Sequence, residues 1–162
     1  MPDLLTHIIL SRALTSFKWR KFALLFAFGS ILPDILRSIP TFFFPSSYLL
    51  SWFTAPFHTP FVLICLSLLI SLLPRKILSV IFIKNQWQTF IILLMSTNLH
   101  LFLDLFQKHI QPSYMLFFPF SFQGYEIGWF WPEDSLKIIW ILVIILVIIL
   151  FLEKKYSRKI FK

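Results

Sequence analysis

His100-Leu-Phe-Leu-Asp104 closes an apolar run that begins at Gln86 and ends at Phe106, and the reading of that run decides the fold. As a helix it is roughly 30 Å long at 1.5 Å per residue, the thickness of a bilayer's hydrocarbon core. A histidine and an aspartate four apart lie one turn apart on one helix face, where both side chains reach the same cation. An ionisable residue is expensive in lipid, so its presence inside a spanning segment points to function. On its own, His-x-x-x-Asp also fits a capped or solvent-facing helix end.

The rest of the chain supports a membrane reading. Of its 162 residues 58% are hydrophobic and only 14% charged, whereas soluble domains run near 45–50% apolar. The net charge of +8 raises the question of nucleic acid, and the location of the charges answers it. Lys18, Arg20 and Lys21 form one cluster; Arg75, Lys76 and Lys84 a second; Lys154, Lys155, Arg158, Lys159 and Lys162 a third. Each flanks an apolar segment, which is the positive-inside pattern of membrane topology and not a nucleic-acid groove. Cys65 is the single cysteine, so neither a disulfide framework nor a cysteine-based metal site is available. No cleavable signal peptide is expected, since the basic cluster at 18–21 starts too late.

Residues Leu4 to Phe17 read as a first helix and Phe22 to Leu32 as a second, both short enough to form a tilted or re-entrant hairpin. Pro33 disfavours helix at Leu32, which places Asp34 on a turn at the mouth of the second segment. Ile39 to Phe57 reads as an aromatic interfacial loop with Tyr48 and Trp52 as headgroup anchors. Thr59-Pro60 is a helix start, threonine at the N-cap and proline at the first helical position, so His58 sits on the lip of a third helix running to Leu73. Ile77–Ile83 reads as an interfacial connector. Gln107 to Ser135 is loop-like and aromatic, punctuated by Pro112, Pro119, Gly124, Gly128 and Pro132. Leu136 to Leu152 reads as a plain lipid-facing span.

The expectation is one all-α domain over 1–162, a polytopic helix bundle of four to five membrane segments with aromatic interfacial loops. Residues 1–135 form its metal-site core, 136–152 its C-terminal transmembrane helix and 153–162 a basic cytoplasmic tail. With the basic clusters placed in the cytoplasm of a bacterial-type inner or plasma membrane, His7, Asp34, His58, His100 and Asp104 all fall at the non-cytoplasmic ends of their segments. Those residues played no part in setting the orientation. Three imidazoles and two carboxylates suit a divalent transition metal, zinc first, with manganese, iron or nickel as alternatives. Two carboxylates offset one +2 charge and are able to bridge a pair of ions. His109, in the loop after the fourth helix, reads as solvated.

Met1-Pro-Asp-Leu-Leu-Thr-His7, Leu32-Pro-Asp34, Phe57-His-Thr59, His100-Leu-Phe-Leu-Asp104 and Phe117-Phe-Pro-Phe-Ser121 together resemble the small YdjM-like membrane-bound metal-dependent hydrolases, which look like distant relatives of zinc-dependent phospholipase C. The resemblance implies that Asp34, His58 and His100 hold one metal and that Asp104 bridges to a second ion held by His7; in the phospholipase-like pattern the amino terminus can also ligate. Glu126 and Glu133 lie where the phospholipase holds another metal, but this chain lacks the accompanying histidines. Gln107 and Ile110 stand where many family members have threonine and glycine.

The expected activity is hydrolysis of an ester, most plausibly a phosphoester, by metal-activated water, with Asp34 also orienting that water. Phe42, Phe43, Phe44, Trp52, Trp129 and Trp131 would ring the site and admit a small amphiphilic substrate from membrane lipid. The alternatives are a metal-binding transporter component, disfavoured because no polar path toward the cytoplasm is evident, and a non-catalytic scaffold.

Overall fold

The computed structural model describes residues 4–15, 17–44, 53–74, 76, 85–108 and 114–160. Among them the chain is all helical: α1 (Leu4–Leu14), α2 (Ala23–Phe43), α3 (Pro60–Ser71), α4 (Gln86–Leu105) and α5 (Ser135–Ile160), with 3-10 segments at Phe17–Phe22, Ala55–His58 and Pro132–Asp134. Tyr48, Trp52, the 77–83 connector, His109 and the first three residues lie outside the described residues.

Two helix starts follow from local chemistry. The Thr59 hydroxyl accepts from the Val62 N–H at 3.4 Å with Pro60 in the first turn of α3, as the sequence implies. The Asn85 side chain accepts from the Trp87 N–H at 2.9 Å at the start of α4. Each cap satisfies a donor that the helix itself leaves free.

The first two segments differ from expectation. α1 stops at Leu14 and the chain tightens into 3-10 turns through the basic cluster. α2 does not stop at Pro33; it runs through Pro33 and Pro40 to Phe43. Asp34 therefore sits inside a helix, not on a turn at its mouth. Proline costs a helix about 3 kcal/mol in water, largely by removing one N–H bond and crowding a carbonyl. Where neighbouring helices pack around the break, the freed carbonyls find other partners and continuing the helix beats exposing backbone to an apolar interior.

α4 is the centre of the molecule. It packs against α2 on one side and α3 on another, while α1 packs against α2 and α5. Leu25 and Phe26 of α2 meet Ile92 and Leu93 of α4, and Leu63 of α3 meets Leu101 of α4 with Tyr114. Between these apolar patches the buried positions are small and polar: Ser11, Thr15, Ser30, Ser67, Ser71, Thr89, Ser96 and Thr97. Their hydroxyls turn back onto their own helices, as in Ser67 to the Leu63 carbonyl at 2.8 Å and Thr97 to the Leu93 carbonyl at 2.9 Å. Ser11 also reaches across from α1 to the Ser30 hydroxyl of α2 at 2.7 Å. Small side chains of this kind allow close helix approach where water supplies no driving force. Gly29 of α2 is the closest case. A Cβ there would overlap the Ser96 hydroxyl of α4 and lie 3.1 Å from its Cβ.

α2 with its 3-10 lead-in (Trp19–Pro40) and α4 (Gln86–Leu105) are long and apolar enough to cross a membrane. α5 begins within a residue of expectation and continues as helix into the basic tail. Its Trp140, Ile141, Ile144, Val147 and Phe151 are exposed, and Arg12 of α1 holds Glu153 of α5 at 3.0 Å.

The segment after α4 is a folded cover on the end of that helix. Ile127 and Gly128 donate to the Leu105 carbonyl at 2.7 and 3.3 Å, and Trp129 donates to the Phe106 carbonyl at 2.7 Å. These satisfy carbonyls that a helix C-terminus leaves without partners. The turn needs Gly128 at φ 65°, a left-handed conformation that glycine adopts without strain. Tyr114 and Tyr125 then pair their backbones in both directions at 3.1 and 2.9 Å.

Candidate metal centre

Four separate stretches bring the candidate ligands together. His7 comes from the first turn of α1, Asp34 from the middle of α2, His58 from the 3-10 segment leading into α3, and His100 with Asp104 from the last turns of α4. All five are at most 2% exposed. The His58 position follows from the cap: Thr59 Oγ1 donates to the Pro56 carbonyl at 2.8 Å, fixing the turn that holds the imidazole against α2. The α4 pair follows from helix periodicity alone.

Asp34 Oδ1 lies 3.1 Å from His58 Nε2 and 3.6 Å from His100 Nε2. Asp104 Oδ2 lies 3.2 Å from His100 Nε2 and 3.7 Å from His58 Nε2. One ligand atom from each of these four residues falls within 4.8 Å of every other, close enough to bind one metal ion. The second oxygen of Asp104 points elsewhere, with Oδ1 3.4 Å from His7 Nε2. The His7 and His100 rings lie 4.1 Å apart at 30°. Asp104 thus stands between His7 on one side and the Asp34–His58–His100 group on the other.

Only some of the polar atoms here are satisfied, as His58 Nε2 is by Asp34 Oδ1. His7 Nε2, His100 Nε2, Asp34 Oδ2 and Asp104 Oδ1 are buried without a hydrogen-bond partner, as are both amide atoms of Gln107. A buried polar group without a partner costs about 1–3 kcal/mol, and two buried carboxylates cost more. Groups left this way by a fold are accounted for by a bound ion or water. Burial pushes the His58 imidazole down, against the pull of Asp34 and Asp104.

Two neighbours escaped sequence reading. Tyr114, buried under the cover segment, donates its hydroxyl to Asp104 Oδ2 at 2.9 Å and stacks on His58 with ring centres 5.5 Å apart at 23°. Burial raises its phenol and the Asp104 carboxylate raises it further, so it remains a donor. No spacing rule marks it; the only signal was a hydroxyl-bearing ring in a segment otherwise rich in phenylalanine. Gln107, which the sequence marked only as a departure from the resembled pattern, is fully buried one turn past Asp104.

Other stretches singled out in the sequence lie away from the centre. In Phe117-Phe-Pro-Phe-Ser121, Phe120 is 91% exposed and Ser121 Oγ accepts from the Gln123 N–H at 3.2 Å. Glu126 and Glu133 do not join the metal-sized cluster among the described residues. Buried hydroxyls line the helix contacts from Thr97 to Thr89. They are spent on their own helix carbonyls, which makes them packing groups. No family model, curated protein or solved structure matches the chain.

Proposed function

We propose that the chain is an integral membrane metal-dependent hydrolase acting on a phosphoester or other ester bond of an amphiphilic substrate. One observation carries this reading: Asp34 Oδ1, His58 Nε2, His100 Nε2 and Asp104 Oδ2 gather at one buried place, with the four histidine–aspartate distances between 3.1 and 3.7 Å and one ligand atom of each residue within 4.8 Å of the others. Ligands about 2.0–2.1 Å from a tetrahedral ion have mutual distances of roughly 3.3–3.4 Å, close to the four histidine–aspartate distances, and a nitrogen and oxygen donor set is one that zinc accepts. His7 Nε2 and Asp104 Oδ1 would hold a second ion, with Asp104 as the bridge. When bound, a divalent cation lowers the pKa of water toward neutrality and draws charge from a phosphoryl oxygen.

The chain's own residues divide the remaining work. Asp34 commits Oδ1 to the cluster and keeps Oδ2 without a partner, so it has an oxygen with which to take a proton from an attacking water. Tyr114 and the α3 turn hold Asp104 and His58 in place. Phe42, Phe43, Phe44 and Trp129 are exposed, as suits an interfacial rim where a substrate headgroup enters from the bilayer while its tail stays in lipid. The order of the short motifs supports kinship with the YdjM-like hydrolases. We take α5 as a further span, the chain as crossing four or five times, the C-terminus as cytoplasmic and the centre as lying toward the opposite face.

The test is elemental analysis of the purified protein together with turnover of phospholipid and generic phosphoesters in detergent. Zinc at about one to two equivalents and metal-dependent turnover lost in Asp34→Ala are expected. Bound metal with no turnover across a broad ester panel would favour a metal-binding transporter or scaffold; absence of metal would remove the centre itself. A reporter fused after Lys162 should read cytoplasmic, and the opposite result would reverse the assigned orientation.

A further inference from the structure

We infer that Tyr114 is a positioning residue of the metal centre: its hydroxyl fixes the Asp104 carboxylate so that Oδ2 serves the Asp34–His58–His100 group while Oδ1 is presented to His7. The inference rests on the metal reading above.

An aspartate carboxylate turns easily about its last bond, whose preferred angles are broad and two-fold. A carboxylate that serves two sides needs something to hold that angle. Tyr114 is suited to the task because it is itself held at both ends. Its backbone pairs with Tyr125 in both directions, and its ring lies among Leu63 and Leu101 and on His58. From that fixed base the hydroxyl reaches Asp104 Oδ2 at 2.9 Å. It uses one of the lone-pair positions on that oxygen and leaves the other for a cation. His100 Nε2, at 3.2 Å from the same oxygen, approaches from α4 itself, so the two contacts bracket the carboxylate from different elements. The stacked ring also constrains the His58 imidazole, whose Nε2 faces Asp34 Oδ1 at 3.1 Å. One side chain thereby orients two ligands from different helices. Outer partners that orient ligands in this way typically change metal affinity 10–100-fold when removed.

The experiment compares wild type, Tyr114→Phe and Tyr125→Phe in detergent, with His100→Ala as the control for the centre. Zinc affinity is read by competition with a chromophoric chelator, ligand geometry by the visible absorption of the cobalt(II)-loaded protein, and folding by circular dichroism and elution volume. Tyr114→Phe keeps the ring and its stacking and loses only the hydroxyl. It is expected to fold normally, to bind zinc about 10–100-fold more weakly and to shift the cobalt spectrum, while Tyr125→Phe, whose hydroxyl donates to Gln123 Oε1 away from the centre, matches wild type. Wild-type zinc affinity and an unchanged cobalt spectrum in Tyr114→Phe would overturn the inference and leave the metal centre standing. Loss of fold in Tyr114→Phe would also overturn it, making the hydroxyl structural. Absence of metal from wild type itself would end both readings, and is told apart by that sample alone.

Discussion

Gly29→Ala sets two physical effects of opposite sign against each other. By helix propensity alone the change should stabilise α2 by about 0.5–1 kcal/mol, because glycine is poor in a helix interior. The structure demands the reverse. The new Cβ would overlap the Ser96 hydroxyl, lie 3.1 Å from Ser96 Cβ and lie 3.3 Å from Leu93 Cδ2. Ser96 is fully buried and its hydroxyl donates to the Leu93 carbonyl at 3.0 Å, so turning it away sacrifices that bond; otherwise α2 and α4 must separate. Overpacking of this kind costs about 1–3 kcal/mol, so after the propensity gain the net expectation is a loss of up to about 2.5 kcal/mol. Because Asp34 follows Gly29 on α2 and His100 follows Ser96 on α4, separation would also stretch the 3.6 Å contact between them. Thermal unfolding in detergent and zinc affinity are the two readouts, with Ser96→Ala and the double variant completing a cycle. Removing the Ser96 hydroxyl should recover most of the loss. A Gly29→Ala variant more stable than wild type, or a double variant that shows strict additivity, would refute the close-approach argument.

Two further perturbations test the centre and its supports. Thr59→Ala removes both the cap of α3 and the bond to the Pro56 carbonyl, and should cost about 0.5–2 kcal/mol with weaker zinc binding, while Thr59→Ser keeps both properties in the same melting and chelator assays. His100→Ala and Asp104→Ala should each lose bound metal by elemental analysis. Wild-type zinc affinity should fall on acidification, since imidazole must be neutral and carboxylate ionised to ligate; calorimetry at neutral and at acid pH measures it.

What the sequence disclosed and what it hid divide by the range of the forces. The α4 pair is legible because helix periodicity places His100 and Asp104 together, and the Thr59-Pro60 start because a cap is a contact between near neighbours. His7 and His58 were legible as ionisable groups at segment ends in a chain poor in them. Asp34 was found, but its setting was misread: Pro33 is a local stop signal, and the packing of α2 against α4 overrides it. Tyr114 lay beyond reach because its partner Asp104 is met through the fold of the cover segment, which no local pattern encodes. The close approach at Gly29 was hidden for the same reason.

The way the ligands are distributed along the chain has a consequence for biogenesis. His7, Asp34 and His58 are made first, on α1, α2 and the turn before α3, whereas His100 and Asp104 arrive only with the end of α4. Until α4 is in place the early ligands have no bridge between them, and the Asp104 oxygens that face both sides do not yet exist in the nascent protein. On the metal reading, ion capture would belong to the end of assembly, and folding free energy drawn from it would be withheld from any unfinished chain. On the metal reading proposed above, a chain stopped before α4 would lack His100 and Asp104 and with them the means to close the centre.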